Sequence, residues 1–146
     1  MKLFWAKAIT NAPPDARLFH EEKRIEYNLQ NFYVCERYYP DGGMLWREYR
    51  TKLENGSFTR NRDFLDGPAL EIFYKDGSIR SQFYYHKSAL HRPPELGPAV
   101  ISYTETGRLI EEYWIYGEKL PEYEARIECK RYHEVEKLFD KRSSQQ

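Results

Sequence analysis

Two cysteines in 146 residues, Cys35 and Cys129, are too few for a disulfide scaffold. Small secreted domains held by disulfides carry several pairs, so both thiols are expected to be reduced. Surplus charge is missing as well, since 23 Lys and Arg balance 23 Asp and Glu. The lack of excess positive charge to attract phosphates argues against a generic nucleic-acid binder, and no nucleic-acid partner is expected. No apolar run approaches the roughly 18–20 residues that cross a bilayer, so no membrane span is expected either. The stretch Leu3-Phe4-Trp5-Ala6-Lys7-Ala8-Ile9 is broken by a lysine and lacks a small-residue cleavage site. It reads as a strand or a partly buried arm, not as a signal peptide. These absences point to the cytoplasm of a cell or host.

Aromatic side chains are what the chain has in excess. Thirteen Tyr, eight Phe and three Trp make 16% of it, against a polar background. Rings of this kind suit a pleated, half-buried surface. A length of 146 residues fits a single domain over 1–146.

Laid against itself, the sequence matches at an offset of 30. Gly67-Pro68-Ala69 falls on Gly97-Pro98-Ala99, Phe73 on Tyr103, Gly77 on Gly107 and Ile79 on Leu109. In the same register Phe83 falls on Tyr113, Tyr84 on Trp114 and Leu90 on Leu120. A more degenerate copy comes first: Tyr38-Tyr39-Pro40-Asp41-Gly42-Gly43 resembles Phe73-Tyr74-Lys75-Asp76-Gly77, with Gly43, Leu45 and Tyr49 spaced like Gly77, Ile79 and Phe83. Self-similarity at a fixed period signals a repeat in which each unit is one supersecondary element. The units are expected at about 33–62, 67–92 and 97–122.

Each unit reads as a β-hairpin, because a β-prone run, an Asp-Gly turn and a second run follow one another. Glycine supplies the positive φ that such a turn needs. Alternation puts Ala69, Glu71 and Phe73 on one face together with Ile79, Ser81, Phe83 and Tyr85. The third unit puts Ala99, Ile101, Tyr103, Leu109, Glu111, Tyr113 and Ile115 there. Leu70, Ile72, Tyr84, Val100, Ile110 and Trp114 take the opposite face. The fold class expected is mainly β, an antiparallel meander of repeated hairpins in an elongated twisted sheet. An N-terminal arm or strand over 1–32 precedes the repeats, with Lys23 to Gln30 as a strand. Ala125, Cys129, Tyr132 and Phe139, spaced 4, 3 and 7, predict a C-terminal capping helix over about 123–141.

The string Leu90-His91-Arg92, Gly97-Pro98-Ala99, Gly107 and Glu112-Tyr113-Trp114-Ile115-Tyr116-Gly117 resembles the degenerate MORN-like repeats, which abound in large amoeba-infecting DNA viruses. The resemblance covers roughly residues 33–122. It implies a sheet serving as a protein-contact module, admits a viral component and a place in the virion, and brings no catalytic residues. The dense Gly-x-Gly turns of the better-known pattern are missing, and the period is longer.

Candidate chemistry is sparse. Cys129 and His133 lie four apart on the expected helix, but a metal site needs about three or four ligands, and Cys35 or His91 would have to converge on them. No metal and no cofactor is expected, and a Cys–His hydrolase pair lacks any signal for its third group. His91-Arg92 is followed one unit later by Pro121-Glu122, so it forms no basic ladder and reads as a solvated connector. Phe73, Phe83, Tyr103 and Tyr113 are expected as a cross-strand ladder. Tyr84, Trp114 and Tyr116 form a second aromatic set, which is the candidate binding surface, since Tyr and Trp favour partner contacts. The expected function is a non-enzymatic protein-interaction or structural module, acting through a protein partner or by self-association. An immunity or antitoxin-like inhibitor of a partner enzyme is the alternative.

Overall fold

The computed structural model describes residues 11–29 and 32–121. Two strands lead in, β1 (Arg17–Phe19) and β2 (Arg24–Leu29). Three similar units follow. The first is β3 (Phe32–Tyr38), β4 (Met44–Lys52) and β5 (Phe58–Arg60). The second is β6 (Leu70–Phe73), β7 (Ile79–Phe83), β8 (Tyr85–His86) and β9 (Ala89–Leu90). The third is β10 (Val100–Tyr103), β11 (Leu109–Ile115) and β12 (Glu118–Leu120). The main sheet runs β1-β2-β3-β4-β6-β7-β10-β11-β12, with β5 beside β4, while β8 and β9 pair on their own. Every pairing is antiparallel, so the chain is a β meander. The helix expected over about 123–141 lies outside the described residues, as do residues 1–10 of the arm or strand expected over 1–32.

One turn construction recurs four times. The N–H of Gly42 donates to Tyr39 O, that of Gly56 to Leu53 O, that of Gly77 to Tyr74 O and that of Gly107 to Thr104 O. These four glycines have φ between 84° and 99°. A three-residue loop that ends in a left-handed residue rejoins two twisted strands without splaying them. Asx bonds reinforce it: Asn55 Oδ1 and Asp76 Oδ1 accept the N–H groups of Ser57 and Ser78 at 3.0 and 2.8 Å. The counterpart of Gly77 in the first unit is therefore Gly42, not Gly43.

A β-bulge corrects the repeat register. In the second unit Phe73 faces Ile79 but Ile72 faces Ser81, which leaves Arg80 as an extra residue. The first unit carries the same shift between Arg37 and Tyr38. The third has none, as Tyr103 faces Leu109 and Val100 faces Glu112 without a break. Beyond the bulge the offset is therefore 29. Leu70 faces Phe83 where Val100 faces Glu112, so Tyr84 corresponds to Tyr113 and Tyr85 to Trp114. The bulge also reverses the faces on β7. Phe83 and Ser81 lie with Leu70 and Ile72, and Tyr84 turns to the side of Ala69 and Glu71. A bulge adds one residue to one strand, and no composition signal marks it.

The largest fully buried side chains are Ile25, Val34 and Cys35, so the core centres on β2, β3 and β4. Burying an Ile or Val contributes about 1.5–3 kcal/mol each. Around them sit Glu26, Glu36 and Glu48, all buried. Arg24 reaches Glu26 at 2.9 Å, Arg47 reaches Glu36 at 2.8 Å, and both Arg50 and Arg60 pair with Glu48. A buried carboxylate persists when a guanidinium neutralises and hydrogen-bonds it.

Candidate functional site

Units join through the connectors 61–69 and 91–99, and both joints are built alike. Arg62 lays its guanidinium 3.9 Å from the Tyr49 ring centre, and Arg92 lies 4.0 Å from that of Tyr84. Their Nη1 groups donate to Pro68 O and Pro98 O, each at 3.1 Å. Gly67 and Gly97, at φ 135° and 130°, let the backbone curl under the arginine, and a Cβ at either would stand 2.7 Å from Nη1. The N–H groups of Tyr49 and Tyr84 then donate to Ala69 O and Ala99 O at 2.8 Å. A cation held on a desolvated ring contributes about 2 kcal/mol. Tyr49 and Tyr84 are buried beneath it.

The expected binding residues Tyr84, Trp114 and Tyr116 all meet the connector His91-Arg92, each differently. Tyr84 is buried under Arg92. Trp114 accepts the Arg92 N–H on its carbonyl at 3.2 Å and donates its indole N–H to Glu112 at 3.0 Å. Tyr116 is 67% exposed and stacks its ring on His91, centroids 4.0 Å apart. Of the three, Tyr116 offers its ring most openly. It opens the two-residue turn between β11 and β12 at φ 44°, a left-handed conformation that disfavours a bulky residue. The N–H of Gly117 closes that turn onto Leu90 O at 2.8 Å.

His91 is buried, so the connector is not solvated. Its Nδ1 accepts the Tyr116 N–H at 3.0 Å. Phe64 meets the ring edge-on at 6.3 Å and His86 at 6.0 Å. Burial first, then the nearby His86, hold the imidazole below its ordinary range. On the flank, Leu65 is 74% exposed, which gives this end of the sheet a second apolar projection.

At the opposite end, between the Gly77 and Gly107 turns, lies an open groove of about 1240 Å³ bordered by Tyr39, Tyr74, Arg80, Ser102 and Ile110. Tyr39 and Tyr74 act here as clasps. Their hydroxyls donate to Phe73 O and Tyr103 O of the next unit at 2.7 and 2.6 Å. Ile79, Tyr103, Leu109 and Ile110 are exposed nearby. The expected ladder does not form as such: Phe73 faces Ile79 and Tyr103 faces Leu109, while Phe83 lies on the other side of the sheet.

The remaining candidates stay apart. Cys35 is a buried free thiol whose pKa burial pushes up to about 11, which suppresses thiolate chemistry. Among the described residues no three His, Cys, Asp or Glu gather to hold a metal ion, and no helix is long and apolar enough to cross a membrane. Cys129 and His133 lie outside the described residues. The arginine clamp went unread although its signal was present. Arg62 precedes Gly67 as Arg92 precedes Gly97, visible by comparing His91-Arg92 backward instead of forward.

No family model, no curated protein and no solved structure matches this chain.

Proposed function

We propose that this chain is a non-enzymatic protein-interaction module of MORN-like hairpin units that presents Tyr116 to a protein partner. The observation that carries the reading is the ring of Tyr116, 67% exposed on a left-handed backbone and braced against buried His91. Asn-Gly is the preferred pair for such a turn, so a tyrosine there gives up local stability. An exposed aromatic with a fixed ring is an effective contact group, because little rotamer freedom is lost on binding. Tyr84 and Trp114 support it through Arg92 and His91. A role as a viral structural component and a cytoplasmic or virion location fit the same reading.

The variant Tyr116→Asn tests it, since it keeps the turn and removes the ring. A photo-crosslinking side chain at 116 in the full chain is expected to give one discrete protein adduct in the native cell. The same probe at Leu53, on the first unit's tip, is expected to give none. Tyr116→Asn should melt at or above the parent temperature and lose competition for that adduct. Equal adducts from both probes, or full competition by Tyr116→Asn, would overturn the assignment. An adduct with a second copy of the chain would identify self-association as the contact.

A further inference from the structure

The two joints differ at one acceptor atom. In the first, the N–H of Lys87 donates to Asn61 Oδ1 at 2.9 Å. In the second, the N–H of Tyr116 donates to His91 Nδ1 at 3.0 Å. Asn61 and His91 both stand one residue before the clamping arginine, and Lys87 and Tyr116 both open a turn with φ near 45° (46° and 44°). An amide oxygen accepts at any pH, whereas an imidazole nitrogen accepts only through an unprotonated lone pair. We propose that His91 is a pH-sensitive latch that holds the tip of the third hairpin closed near neutrality and releases it on acidification.

With Nδ1 committed as acceptor, the proton of neutral His91 resides on Nε2. A second proton on Nδ1 would set two N–H donors against each other across 3.0 Å. Among the described residues, His86 from β8, Tyr116 from the tip and Phe64 from the first connector face the ring. Arg92 follows it in the chain with its guanidinium turned onto Tyr84. None of these four carries negative charge. Burial and His86 act in the same direction, lowering the pKa of the folded form. The sign follows: the latch is fully engaged above the ordinary histidine value of about 6.5 and is lost as pH falls through the lowered folded value.

Amide hydrogen exchange of Tyr116, corrected for the intrinsic rate and followed from pH 7 to pH 5, reads the latch directly. The parent protein is expected to lose protection at Tyr116 as the pH falls from 7 to 5, because the folded form binds the proton less readily than the open one. His91→Asn copies the first joint and is expected to stay protected across the range. His86→Asn should keep the response and move its midpoint upward, because a repelling charge is gone. A parent that stays closed, or a His91→Asn variant that opens in parallel, would overturn the proposal, as would a response that vanishes with His86. Should His91→Asn fail to fold, the imidazole nitrogen shifts of the parent decide. A proton on Nδ1 at pH 7, or a midpoint above about 6.5, rejects the latch.

Discussion

The strands from β2 to β4 and those from β6 to β12 follow the same meander but are filled differently. The first set buries Glu26, Glu36 and Glu48 against arginines around a small apolar core. The second exposes Ile79, Tyr103, Leu109, Ile110 and Tyr116, and its Lys119–Glu112 pair, at 3.5 Å, is open to solvent. The arginine clamps that join the units are nevertheless the same. Interior chemistry and joint chemistry are thus separable in this fold: the arginine clamp fixes how units stack, and each hairpin is then free to be a closed interior or a presenting surface.

The sharpest way to break this contrast is to remove one carboxylate from each half. Glu48→Gln strands Arg50 and Arg60 around a buried amide and should cost about 3–5 kcal/mol in urea unfolding. Glu112→Gln should cost no more than about 1 kcal/mol, as for other exposed pairs. Equal losses would mean that the halves are not differently built. Next in size, Gly67→Ala and Gly97→Ala should each cost about 2–3 kcal/mol, combining a left-handed backbone with displacement of the arginine. Gly77→Ala, with open space around it, should cost only about 1–2 kcal/mol. If Gly67 and Gly97 differ widely, the joints are not equivalent. Two hydroxyls sharpen the same contrast. Tyr33 donates to buried Glu26 at 2.5 Å, so Tyr33→Phe should cost about 1.5–3 kcal/mol, as expected for a bond to a charged group. Tyr74→Phe removes an exposed bond to a carbonyl and should cost about 0.5–1.5 kcal/mol, measured the same way.

Hairpins and turns were legible because glycine leaves a visible mark where φ must be positive, as Gly77 and Gly107 do, whereas in the first unit the spacing pointed to Gly43 and the turn uses Gly42. The strand expected from Lys23 to Gln30 appears as Arg24–Leu29. The side-chain faces on β7 were misread because Arg80, the bulged residue, looks like any other strand residue. Buried Glu26, Glu36 and Glu48 were equally silent, since their burial depends on which strand lies alongside and not on the local pattern. For the site, Tyr116 was readable as an aromatic beside a turn glycine. The stacking of His91 beneath it required the fold, and the Arg62 and Arg92 clamps required only a backward alignment.

Thr104 occupies the turn position held by Tyr39 and Tyr74, and its hydroxyl stays within its own loop, bonded to Thr106 and to the N–H of Arg108. Pro121-Glu122 likewise stands where an arginine would begin another connector. Among the described residues the tyrosine clasp therefore ends with Tyr74 and the arginine clamp with Arg92.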